Sequence, residues 1–173
     1  TLNAQPTPHH VLELDANESY VELPANLLEG VSNELTVEGW IRWQRLGEWA
    51  RFFDFGPERL SLAVAQFYDT ANISAVIHHP LGVQELRVSN VLTTNQWYHI
   101  ACTISEAGTR LYINGVLAGA ERFIPSFDQF RAGPHRLGRS YARATQEGHR
   151  QIDEFRVWSV ARTEEQIRQA MWE

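Results

Sequence analysis

Residues 148–173 read GHRQIDEFRVWSVARTEEQIRQAMWE. Gly148 closes a loop. Residues 150–159 then alternate as a strand does, yet they carry apolar groups on both faces, which predicts a strand packed on both sides. Thr163 is a good helix N-cap, and Gln166 three residues on completes a capping box. Glu164 and Glu165 fall at the positive end of the helix dipole. Ile167, Ala170 and Met171 form an apolar stripe too short to stand alone, so the helix must dock on a sheet. Alternation puts Asp153 and Glu154 on opposite faces, so they do not act together on one substrate. Asp153 is expected to point inward, and Glu154 to pair with Arg156 on its own face.

Upstream, short alternating runs are punctuated by turn residues. Strands are expected at 10–15, 19–23, 34–43, 49–55, 59–66, 72–78, 84–90, 97–104, 109–113, 116–121, 135–139 and 150–159. About a dozen strands at this spacing predict an all-β, two-sheet antiparallel sandwich with a short C-terminal helix. In TRLYINGVLAGA, Asn114-Gly115 supplies the two left-handed positions of a type I′ hairpin. In ELTVEGWIRW, Leu35, Val37, Ile41 and Trp43 share one face, while Thr36, Glu38, Trp40 and Arg42 share the other. In WYHIACTI, Trp97 and His99 likewise lie on the more polar face. A Trp on each polar face predicts a sheet whose second side is covered or forms a groove. Gly39 predicts close packing on the first.

With 173 residues, 43% of them hydrophobic, the chain is long enough for one self-sufficient core. A single cysteine, Cys102, forbids an internal disulfide. No run approaches the ~20 apolar residues of a membrane span. A net charge of −6 disfavours nucleic acid as a partner. All 15 basic residues are arginine, and Arg122, Arg131, Arg136, Arg139, Arg143 and Arg150 fall close together. They read either as surface ion pairs or as a face for sulfate or carboxylate. The opening TLNAQPTPHH reads as a linker over residues 1–9, with one domain over 10–173, expected to belong to a longer protein.

The pieces, in order, resemble LamG-like jelly-roll domains (laminin-G type 3, of the concanavalin A-like lectin/glucanase superfamily). VLELDANESYVELP is similar to their first two strands, and ELTVEGWIRW to their Trp-bearing third. NQWYHIACTI with TRLYINGVLAG matches their "W-x-H-x-A-x-T … L-Y-x-N-G" pair. IDEFRVWSVARTEEQI matches the closing "I-D-E-x-R-[IV]-W" strand and helix. Residues 44–95 match only loosely. The resemblance implies a jelly roll serving as a non-catalytic binding or adhesion module in a secreted or cell-surface protein. Its partners would be a glycan or protein surface and neighbouring domains. It also implies a structural calcium held by Asp15, Asn17 and Asp153, where the first and last strands come together. Calcium accepts carbonyls readily, so two or three side chains suffice. Asp15 and Asn17 also serve as plain turn caps, and this chain has Asp15-Ala16 where many members have Asp-Gly.

Other chemistry is harder to place. Glu13, Asp15 and Glu18 spell E-x-D-x-x-E, similar to the paired carboxylates of family 16 glucanases. They fall at the N-terminal edge, however, and run into a turn. The pairs His9-His10 and His78-His79 split across strand faces. His99 matches the family's structural histidine. Trp49, Phe67, Tyr68 and Tyr141, with Trp43, lie near expected loops, either as stacking faces for sugars or as plugs closing the sandwich ends. Trp49, Tyr68 and Tyr141 are the expected ligand-binding residues, on rim loops 44–50, 66–72 and 122–148, with 78–84 as a fourth loop.

Overall fold

The computed structural model describes residues 10–15, 19–140 and 148–173. Among these residues twelve strands form, in chain order: β1 (Leu12–Leu14), β2 (Val21–Leu23), β3 (Leu35–Trp43), β4 (Arg51–Phe55), β5 (Leu62–Gln66), β6 (Ile73–His79), β7 (Gly82–Val88), β8 (Trp97–Ser105), β9 (Gly108–Ile113), β10 (Val116–Glu121), β11 (His135–Leu137) and β12 (Arg150–Trp158). One helix, α1 (Glu164–Ala170), follows. The strands build two six-stranded sheets, ordered β1-β12-β3-β8-β9-β10 and β2-β11-β4-β5-β6-β7. The chain changes sheet after β1, β2, β3 and β7, then again on either side of β11, as a jelly roll does.

The core lies between the sheets. Leu35, Val37, Ile41 and Trp43 of β3 point into it, as their alternation requires. Phe53, Phe55, Leu62 and Val64 meet them from the other sheet. Trp43 is fully buried there, so it belongs to the core and not to the rim. Gly39 is close-packed: a Cβ at this position would lie 3.1 Å from both the Phe155 Cα and the Phe52 ring. Asn114 and Gly115 take φ of 51° and 73°, the two left-handed positions of the β9–β10 turn. Cys102 is buried, and desolvation pushes its thiol to about 12, which makes it inert at neutral pH.

The polar face of the first sheet is covered by α1. Ile167 packs against Ala101 and Tyr112, and Met171 against Trp40 and Trp97. The Trp40 indole N–H donates to the Met171 carbonyl at 3.0 Å, and Arg156 donates to the Ala170 carbonyl at 2.7 Å. Two of the helix's terminal acceptors thereby find partners. At its start, Thr163 Oγ1 accepts from the Gln166 N–H at 3.2 Å, and Gln166 Oε1 accepts from the Thr163 N–H at 2.9 Å. Loss of this cap in Thr163→Ala is expected to cost about 1 kcal/mol. Urea unfolding would show it as a lower midpoint at unchanged slope, whereas an unmoved midpoint would mean the helix is held by packing alone.

One expectation about the last strand is corrected. Strict alternation sent Asp153 inward, but a β-bulge interrupts the β12–β3 register between Asp153 and Arg156, with Glu154 at φ 50°. Asp153 lies opposite Trp40, on the face that α1 covers. Ile152 before the bulge and Phe155 within it face inward, and the Phe155 ring meets Phe52 edge-on with centroids 5.6 Å apart. Asp153 Oδ1 accepts the Glu154 N–H at 2.9 Å and so braces the bulge. Glu154 pairs with Arg156 at 2.7 Å, as expected.

Candidate functional site

At one end of the sandwich, the loops after β3 and β5 are stitched together by Gln66. Leu62, Val64 and Gln66 alternate on the inner face, so a polar group is carried into the interior. Its amide is put to use there. The Gly47 N–H donates to Gln66 Oε1 at 3.0 Å, and Gln66 Nε2 donates to the Thr70 carbonyl at 2.8 Å. The Gln66 N–H also donates to the Ala50 carbonyl at 3.0 Å. Both loops are thereby held at a fixed separation.

Two aromatic residues on these loops take left-handed backbone conformations, Trp49 at φ 58° and Tyr68 at φ 50°. Bulky side chains rarely do so, and such strain collects at functional positions. Here it brings three rings together. Centroid distances are 5.0 Å for Trp49–Phe67, 5.1 Å for Trp49–Tyr68 and 4.7 Å for Phe67–Tyr68. Guanidinium groups brace two of them. Arg87 sits over Phe67 at 3.3 Å, itself paired with Glu85 at 2.6 Å. Arg51 sits over Trp49 at 5.5 Å, donates to the Trp49 carbonyl at 3.1 Å and pairs with Asp54 at 3.2 Å. Tyr68 remains 46% exposed. It faces a cleft of about 410 Å³ lined by Arg45, Leu46, Gly47, Glu48, Tyr68 and Asp69.

Of the residues singled out in the sequence, Trp49 and Tyr68 are brought into one cluster. Tyr141 and Asn17 lie outside the described residues. The first and last strands do pair, with Leu14 opposite Arg150 and Leu12 opposite Ile152. That register puts Asp15 next to the His149 position. Asp153 is four residues further along the same strand, about 13 Å away at strand rise. Asp15 and Asp153 therefore do not fit one calcium ion, and Asp15 instead accepts the Ser19 hydroxyl at 2.7 Å. Among the described residues, no group of three or more His, Cys, Asp or Glu side chains is placed to hold a metal. Glu13 of the E-x-D-x-x-E run is hydrogen-bonded to His149 at 2.7 Å on the edge strand.

His78 and His99 are built into the packing. His78 bonds Ser61 at 3.1 Å, and burial lowers its pKa. His99 lies under α1 with its ring edge-on to Trp40. Arg136 and Arg139 rest over the Tyr20 ring, at 5.2 Å and 5.0 Å, while Arg131 pairs with Asp128. A second cleft, about 500 Å³, opens at the opposite end between residues 32–33, Glu106 and residues 124–128. Phe127, its aromatic residue, is buried in the core and offers no free ring face.

Sequence reasoning found the rings but missed what sets them. Gln66 at a core-facing position was the available signal. The cap by Arg87 comes from β7, 20 residues beyond Phe67, and leaves no local pattern.

This sandwich with a docked C-terminal helix defines a concanavalin A-like binding fold. The laminin-G type 3 family model, described as the concanavalin A-like lectin/glucanases superfamily, matches residues 15–168, and the chain belongs to that family. A candidate carbohydrate-binding protein from Bacteroides ovatus is similar in structure, at TM-score 0.71 and 26% identity over 88% of this chain and 44% of that one. Domain 4 of AbnA, an extracellular GH43 arabinanase from Geobacillus stearothermophilus solved with arabinotriose, is similar at TM-score 0.72 and 23% identity. That match covers 91% of this chain and 74% of that one. The receptor-binding domain of botulinum neurotoxin C/D mosaic serotype is similar at TM-score 0.67 and 18% identity, over 88% of this chain and 39% of that one. The chain thus spans less than half of the first structures it matches, 44% and 39% of their lengths. A comparison with curated proteins finds no match. Among the described residues, no helix is long and apolar enough to cross a membrane.

Proposed function

We propose that the chain is a non-catalytic carbohydrate-binding module of a secreted or cell-surface protein, with the Tyr68 cleft as its binding site. The observation that carries this reading is the braced ring cluster: strained loops present one exposed Tyr face beside polar side chains. That is the usual make-up of a sugar site, a flat apolar surface with a few fixed polar groups. The named functions of two similar structures support it, since one is a candidate carbohydrate-binding protein and the other was solved with arabinotriose. Binding needs no moving part here, because Gln66 holds both loops before any ligand arrives.

A glycan array followed by titration tests this. Asn tolerates the left-handed conformation of residue 68, so Tyr68→Asn removes the ring without straining the backbone. The variant is expected to bind at least about tenfold more weakly, at unchanged stability, as loss of a stacking contact worth ~1.4 kcal/mol requires. A blank array from folded protein would leave the module as a spacer between domains, and an unaffected variant would place sugar binding away from Tyr68.

A further inference from the structure

Resting on the carbohydrate reading, we infer that the Tyr68 cleft takes a single uncharged sugar unit and rejects uronates and other anionic sugars. Two observations lead there. The first is which ring faces remain free. Phe67 is covered by the Arg87 guanidinium at 3.3 Å, and Trp49 has Arg51 over it at 5.5 Å. Both cations are held by carboxylates, Glu85 at 2.6 Å and Asp54 at 3.2 Å. Of the three rings, Tyr68 therefore offers the stacking face. Trp49 positions it through a tilted contact at 5.1 Å and Phe67 through an edge contact at 4.7 Å. One platform stacks one sugar ring, whereas recognition along a chain needs a row of them.

The second observation is the charge of the cleft. Among the described residues its charged lining is Arg45, Glu48 and Asp69, two carboxylates to one guanidinium. Among the described residues, none of these three makes a side-chain hydrogen bond or ion pair, so all are available to a ligand. A carboxylate accepts from two neighbouring hydroxyls at once, and a guanidinium donates to hydroxyl or ring oxygens. Vicinal hydroxyls of a neutral sugar satisfy all three groups. A uronate brings a negative charge into a site whose net charge is already negative, on a chain of net charge −6. The nearby cations Arg51 and Arg87 offer it no relief, because each is already paired.

The test is a calorimetric and NMR titration of the intact chain. The neutral probes are arabinotriose, xylotriose, cellotriose and maltotriose, and the anionic probe is trigalacturonate. At least one neutral sugar is expected to bind and to perturb Tyr68. Trigalacturonate should bind at least about fivefold more weakly at low salt, with a gap that narrows as salt screens the carboxylates. For the best neutral sugar, affinity should rise less than about threefold from trimer to hexamer, since among the described residues extra units meet no second platform in this cleft. The Glu48→Gln/Asp69→Asn variant should weaken neutral binding and shrink the discrimination. Trigalacturonate binding as tightly as the neutral sugars, or an unchanged double variant, would overturn the charge inference and leave the carbohydrate reading standing. A steep gain with length would overturn the single-unit inference alone. Silence from every sugar would count against the rim site, and so against the carbohydrate reading itself.

Discussion

Replacing Arg162 by alanine is expected to destabilise the protein by about 3–5 kcal/mol, the cost of leaving a buried charge without its partner. The charge at stake is Glu38, at the middle of β3, with no solvent exposure. Its Oε1 accepts from Arg162 at 2.6 Å and from the Trp158 indole N–H at 2.7 Å. Its Oε2 is buried with no hydrogen-bond partner, so nothing else is in place to take over when Arg162 is lost. Arg162 is also well enclosed, lying over the Trp158 ring at 4.3 Å and donating to the Gln166 carbonyl at 3.0 Å. Its backbone N–H donates to Thr36 Oγ1 at 2.9 Å, which ties the β12–α1 link to the start of β3. The residue therefore joins sheet, link and helix. The double variant Glu38→Leu/Arg162→Met removes the charge along with its partner, and it should be more stable than Arg162→Ala alone. Denaturant unfolding decides. A loss below about 1 kcal/mol in Arg162→Ala would mean that water reaches Glu38 and solvates it.

That cluster also shows what the sequence disclosed and what it concealed. The alternation of ELTVEGWIRW separated a core face from a second face bearing Glu38 and Trp40, and the capped stripe at Thr163–Met171 identified what covers it. Both followed from local periodicity, a property of the chain itself. The pairing of Glu38 with Arg162 did not, because it joins residues 124 apart in sequence. The bulge at Glu154 was hidden for a related reason. Alternation is a rule for unbroken strands, and the bulge with Glu154 at φ 50° shifts the phase, so that Ile152 and Phe155 face inward while Asp153 does not. Strand adjacency was read correctly, but adjacency does not say which residues lie opposite each other: the register sets Asp15 beside His149, four residues from Asp153. At the rim, composition pointed to Trp49 and Tyr68. That their rings touch depends on two left-handed turns and on the buried amide of Gln66, features with no local periodicity.

Lowering the pH from 7 to 4 is expected to remove about 3 kcal/mol of stability through His99 alone, with about 2 kcal/mol gone by pH 5. Burial holds its folded pKa down to about 4, and the positive charges of Arg156 and Arg162 press in the same direction. The ring is edge-on to Trp40, its Nδ1 is buried without a hydrogen-bond partner, and its backbone N–H donates to Asn114 Oδ1 at 2.9 Å. Nothing around it welcomes a second proton. The unfolded chain takes that proton near the ordinary value of 6.5, while the folded protein resists it until about 4. Between those values the unfolded state binds more protons, so stability falls as pH falls, and the loss levels off below the folded pKa. Burial lowers His78 and His135 in the same direction, so the wild type should keep some slope from them. His99→Gln isolates the larger contribution. Its unfolding free energy, followed by urea titration from pH 7 to 5, should decline about 2 kcal/mol less than that of the wild type. Parallel declines would show that His99 is protonated within the folded protein, and hence that α1 does not seal the face it covers.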